Sequence, residues 1–215
     1  MKRIILSLAV TAAITAGAMA QTTTPTLDNA KEISDAKGKI EKSNLEINDA
    51  KKGILPKTWE NRGVLFMSAF EINNKSNYSG MQAAKTEKNM FNNMELLLGA
   101  PTAKAAEGEY EVWTYPTIKF YVLDNSVSFW KETSCADPDA LTKACEALKK
   151  AIEIDDQGKG TLKSSKKTAE EFSRLRQDYM TMGINEYYAK NYAAASKAFA
   201  GAESLSNMPK TAKDT

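Results

Sequence analysis

Glu107, Glu109, Glu111 and Asp124 are the acids whose clustering could support catalysis in this chain. Two carboxyls at a suitable separation can hydrolyse a glycoside, one as general acid and the other as base or nucleophile. These four, however, occupy alternate positions of a short strand pattern and its turns, where solvated edge charge is the ordinary role. Histidine is absent from all 215 residues. That removes Ser-His-Asp and Cys-His catalysis, the commonest general base, and every zinc site built on imidazole. The two cysteines, Cys135 and Cys145, are too few for a metal cage and could form at most one disulfide. Cys145 shares an apolar stripe with Leu141, Leu148 and Ile152 at helical spacing, which favours a buried free thiol. With no nucleophile elbow, metal motif or phosphate loop, the chain reads as a binding protein, not an enzyme, with no cofactor and no metal.

Trp113, Tyr115, Tyr121, Phe129 and Trp130 offer a different chemistry, an aromatic platform for sugar rings. A carbohydrate-binding module using this face, with Trp113, Tyr115, Tyr121 and Trp130 as its surface, is the alternative function. Strand alternation puts Trp113 and Tyr115 on one side and Tyr110, Val112 and Thr114 on the other. One side must cover a neighbouring helix. The outward one either binds ligand or packs on the remaining helices, and packing is favoured because monomers seldom leave large apolar patches open.

The elements that must position these residues follow from periodicity. Residues 110–114, 118–123 and 127–130 are short aromatic and β-branched runs, the last two joined by Asp124-Asn125, which suits a two-residue hairpin turn. Before them, residues 82–98 read as a helix with Met90, Met94 and Leu97 or Leu98 in a stripe, ending at Gly99 with Pro101 just beyond. The sequons at Asn74 and Asn77 mark an exposed loop. A helix capped by Asp28 carries Ile33, Ala36, Ile40, Ile47 and Ala50, and a second starts at Pro56 and runs to about Asn73. A third, after Asp137, presents Ala144, Leu148 and Ala151. Residues 157–167 form a linker, and helices over 168–190 and 193–205 follow.

Two of these helices carry a shared pattern. Trp59, Gly63 and Phe66 recur in partial form as Tyr179, Met182 and Gly183, followed by Tyr192, Ala195, Phe199 and Ala202 on a return helix. In this the chain resembles the tetratricopeptide-repeat family, whose units are antiparallel helix pairs stacked into a short solenoid. The resemblance implies a mostly α fold with a small helix-plus-hairpin insertion. Its parts are a helical pair over residues 27–73, an α+β insertion over 74–137 and repeat-like helices over 138–215. It also implies a concave groove lined by the first helices of successive repeats, which binds an extended peptide or a partner helix. Carried over by the glycine register, the groove positions are Glu60, Val64 and Met67 from the first repeat and Met180, Ile184, Tyr187 and Tyr188 from the second. Adjacent residues on a helix point about 100° apart, so one of the two tyrosines is expected in the core. Separately, the Leu-Gly-x-Pro turn and Glu-Val-Trp-x-Tyr strand over residues 94–130 resemble the small α+β domain of the β-barrel-assembly accessory lipoproteins of the outer membrane.

The ends and the charge set the compartment and the class of partner. Residues 1–20 read as a signal peptide: Lys2 and Arg3, an apolar stretch, then Ala18-Met19-Ala20 as the cleavage site, with residues 21–26 a polar lead. The apolar stretch is shorter than the roughly 20 residues of a membrane-crossing helix. The expected product is periplasmic or secreted. Cleavage removes two of the 29 basic residues and no acid, leaving 27 against 27. A balanced surface argues against a nucleic-acid partner. The expected partner is therefore a protein or peptide in the bacterial envelope. At the end of the chain, either a further repeat follows Thr215 or a partner, a second copy included, covers the last helix.

Overall fold

A computed structural model describes residues 26–75, 77, 79–86, 93–158 and 160–209. The signal peptide, most of the polar lead, Met90 and the residues after Pro209 lie outside these. The described elements are six helices and one sheet: α1 (Ala30–Asn48), α2 (Pro56–Asn74), α3 (Met94–Leu98), β1 (Ala103–Glu107), β2 (Tyr110–Thr114), β3 (Ile118–Leu123), β4 (Ser126–Glu132), α4 (Ala140–Asp156), α5 (Lys166–Tyr188) and α6 (Tyr192–Glu203). The architecture is mixed helix and sheet. The mostly α solenoid expected from sequence is too narrow a description, because the sheet builds a core of its own.

Local chemistry sets the helix ends. Asp28 Oδ1 accepts from Ala30 N at 2.9 Å just ahead of α1, but the cap position is Asn29 and not Asp28 as expected, and the Asn29 side chain instead donates to Ile72 O at 2.7 Å. Pro56 opens α2, where its missing N–H is no loss. Asn93 caps α3 by accepting from Leu96 N, and Ser165 caps α5 by accepting from Thr168 N. Lys190, at φ 60°, turns the chain out of α5, and Asn191 caps α6.

The main core joins α1, α2, α4, α5 and α6 through Ile40, Phe66, Phe70, Leu148, Phe172 and Leu175, among others. α2 packs along α4, and α5 along α6. Two glycines permit those approaches. A Cβ at Gly63 would lie 2.5 Å from Leu148 Cγ, and one at Gly183 would lie 2.5 Å from the Phe199 ring. Leu148 is fully buried and has no room to yield without moving a packed helix, whereas the partly exposed Phe199 ring would have to swing toward solvent.

The sheet is an antiparallel meander in the order β1-β2-β3-β4. Asp124 and Asn125 take φ values of 48° and 59°, the left-handed pair that a two-residue hairpin turn requires. Ile118, Phe120 and Val122 alternate onto one face with Trp113, Tyr115, Val127 and Trp130, and cover Met81, Ala83 and Met94. Val112, Tyr121 and Phe129 form the other face, against Tyr110 and Ala189. Simple alternation would put Val127 and Phe129 together. A register shift beside Tyr121 and Val122 instead leaves Ser128 unopposed, so Phe129 stacks on Tyr121 at 4.3 Å between ring centroids.

Three expectations change here. The helix over 82–98 is reduced, among the described residues, to α3, and Gln82 instead bridges to Ser126 of β4. A fourth strand, the edge strand β1 with all five residues exposed, precedes the three runs expected from sequence. The loop expected to expose Asn74 and Asn77 buries both. Asn74 donates to Phe70 O at 2.8 Å and accepts from Trp130 Nε1 at 2.7 Å, and Asn77 donates to Asn73 O.

A polar seam clamps the sheet to the helices. Asn185 of α5 accepts from Trp130 N at 2.8 Å and donates to Trp130 O at 3.0 Å. Asn73 and Asn74 of α2 both donate to Glu132 Oε1, at 3.0 and 3.2 Å. Burial pushes the Glu132 carboxyl above its ordinary range, against the pull of those two amides.

Candidate functional site

Exposed large apolar side chains occur at Leu45, Ile54, Leu55, Leu96, Leu97 and Leu123, and five more form a row on α5 and the start of α6. Phe172, Leu175 and Tyr179 point into the core and anchor the helix. On its other side Met180, Ile184, Tyr187 and Tyr188 are 41%, 41%, 56% and 50% exposed. Their spacings of four, three and one residues keep them on one broad stripe. Both tyrosines are exposed, contrary to the expectation that one would be in the core. α5 ends at Tyr188, so neither ring has a crossing helix above it.

The tight turn through Lys190 brings Tyr192 back beside them. Tyr187 meets Tyr188 edge to face at 5.9 Å and Tyr192 at 5.7 Å. Tyr192 was expected to knit the helix pair but is 61% exposed, while Ala195 behind it is buried. Beside this trio runs a shallow concavity of about 470 Å³, bounded by Tyr187, Tyr192, Ala195 and Phe199. Three mutually supporting tyrosines beside a concavity give a large apolar area with hydroxyls at its margin and few rotamers to freeze on contact.

The positions carried over from α2 do not join this surface. Met67 is fully buried in the main core. Glu60 is 5% exposed and accepts from Lys57 Nζ at 2.7 Å and Lys167 Nζ at 2.5 Å. Burial opposes its charge, but the two ammonium groups prevail and hold its carboxyl below the ordinary range. Val64 is partly exposed. The reason is that α5 lies across this side of α2, tied there by Lys167 to Glu60 and by a two-pronged Arg174 to Glu71 pair. The side assigned to an open groove is an interior helix contact over the first part of α2.

The aromatic face is closed as well. Trp113, Tyr115, Tyr121, Phe129 and Trp130 are between 1% and 6% exposed. Trp113 and Tyr115 cover the Met81 and Met94 side, while Tyr121 and Phe129 pack beneath α5's end. Sugar stacking needs an accessible ring face, and these have none to offer. The acids nearby have ordinary structural partners: Glu111 accepts from Trp113 Nε1 at 2.7 Å, and Glu109 pairs with Lys190 at 3.3 Å.

Cys135 and Cys145 are both free, and Cys145 is buried. They line an apolar cavity of about 440 Å³ between α4, α5 and α6. Burial, followed by the nearby Glu132, pushes the Cys135 thiol up, which makes it a poor nucleophile. Among the described residues, no group of three or more His, Cys, Asp or Glu side chains could hold a metal ion. Among those residues, too, no helix is long and apolar enough to cross a membrane.

Sequence reasoning missed the buried polar groups where α5 crosses α2. Thr168 Oγ1, Glu171 Oε2 and Asp178 Oδ2 have no hydrogen-bond partner among the described residues. The signal that marks Asp178 is its place beside Leu175 and Tyr179, between core positions of α5. Comparison of the chain with protein-family models, with curated proteins and with solved structures finds no match.

Proposed function

We propose that this chain is an exported, tetratricopeptide-like scaffold that docks a protein partner in the bacterial envelope through the outer stripe of α5 and the start of α6. The observation that carries the reading is the unbroken row of Met180, Ile184, Tyr187, Tyr188 and Tyr192, each at least 41% exposed. An apolar stripe with helical spacing, on a helix anchored by its opposite side, is the surface against which an amphipathic helix or an extended apolar segment packs. Two features support the repeat-like part: α2 on α4 and α5 on α6 each approach over a glycine. Export rests on the signal-like residues 1–20, and a protein partner, not a nucleic acid, on the equal numbers of acids and bases after them.

The test compares proteins captured from envelope extract by the parent chain and by Tyr187→Ala/Tyr188→Ala, with circular dichroism to establish that the variant is folded. Both side chains are exposed, so the melting temperature should move little. A protein captured by the parent and lost from the variant supports docking at this stripe. Equal capture by both removes the stripe from the interface.

A further inference from the structure

Where the C-terminal end of α2 meets the middle of α5, a polar pocket of about 500 Å³ opens to solvent. Its walls are nearly all committed. Glu71 takes both prongs of Arg174. Asn74 is held by Phe70 O and the Trp130 indole, Asn77 by Asn73 O, and Gln177 reaches Thr181 Oγ1 at 3.5 Å. Asp178 also lines the pocket, is 9% exposed, and its Oδ2 has no hydrogen-bond partner among the described residues.

A buried acceptor left unpaired is costly, and a nearby opposite charge offsets that cost. Arg174 is held by Glu71, and at Asp178 the repulsion from Glu71 outweighs the attraction of Arg174, so the buried carboxylate is under-compensated, with exposed Lys75 at the side. A cationic group seated in the pocket supplies the missing counter-charge.

The pocket also continues the docking stripe. Gln177, Thr181, Ile184 and Tyr188 fall on one line of α5 at spacings of four, three and four residues. Two line the pocket and two belong to the exposed row.

We propose that this pocket receives the ammonium or guanidinium group of a lysine or arginine side chain on the docked partner, with Asp178 as its counter-charge. The identity of the carrier rests on the docking reading above; the pocket's affinity for a basic group does not. Burial, followed by repulsion from Glu71 and opposed by Arg174, pushes the Asp178 carboxyl up to about 7. A bound cation draws off that proton, so affinity rises as pH increases through neutrality. The charged groups facing Asp178 are Glu71 and Lys75 from α2 and Arg174 from α5.

The experiment is an amide NMR titration of the full chain with n-butylammonium and propylguanidinium chlorides, and with sodium butyrate as the anionic control. Saturable shifts are expected in the last turn of α2 and over residues 174–181. Asp178→Asn keeps the shape and removes the charge, and it should weaken binding about tenfold or more. Absence of saturable shifts with either cation overturns the proposal, as does equal affinity in Asp178→Asn or butyrate binding as well as butylammonium. Cation binding that persists while the double tyrosine variant keeps its partner would sink the docking reading and leave the pocket standing; the converse result does the opposite.

Discussion

Asp155 and Asp178 are both about nine-tenths buried, yet their surroundings differ. Asp155 Oδ2 accepts from Leu162 N at 2.7 Å, closing the turn after α4. Asp178 Oδ2 has no such donor among the described residues. The Asp178 carboxyl titrates near 3.8 when exposed and near 7 in the folded chain. Between those values the folded state holds a proton that the unfolded chain has lost. Stability from this group is therefore full below about pH 4 and lost as pH rises through about 7. Asp178→Asn should remove that slope. Against the parent, its denaturant stability should differ little at pH 4 and gain on the order of 1–4 kcal/mol at pH 8. An equal difference at both pH values would show that Asp178 does not titrate in this window.

Among the elements, the sheet depends on Asn185 for its hold on α5. That side chain bonds both the N–H and the C=O of Trp130 and is 2% exposed. Asn185→Leu keeps the volume but strands two backbone groups, so it should cost about 1–3 kcal/mol. Hydrogen exchange at the Trp130 amide should accelerate more than at core amides of α4. Uniform acceleration would mean that the sheet does not open separately from the helices. Nothing at Asn185 foretold this role, because an asparagine on a helix declares neither its partner nor its burial. The hairpin turn was legible, since Asp124-Asn125 names its own backbone conformation. Strand β1 was not: Ala-Lys-Ala-Ala-Glu has no β-branched or aromatic residue and no buried side, and it is a strand only because β2 offers an edge. The exposure of Met180 and Ile184 on α5 was legible, whereas Glu60 and Met67 were misplaced because a repeat register cannot foresee which helix will lie across α2.

Across the whole molecule, α2 and α4 are the most extensively packed pair, although the entire sheet lies between them in sequence. Bringing such distant helices together carries the entropy cost of closing a long loop. The seam between Asn73, Asn74 and Glu132 changes that cost. It ties the end of α2 to the end of β4, so a folded meander leaves only the short segment from Thr133 to Asp139 to be closed before α4 can dock. We expect the meander to work as a clasp, with the sheet forming first and the helix pair second. Asn125→Ala loses the turn's left-handed preference and the bond from Ala84 N at 2.7 Å. In stopped-flow refolding it should slow folding and leave unfolding nearly unchanged. Faster unfolding with unaltered folding would place the hairpin after the rate-limiting step. Under the proposed export from its N-terminus, such an order would have α2 emerge and wait, to be paired only after the whole clasp has passed.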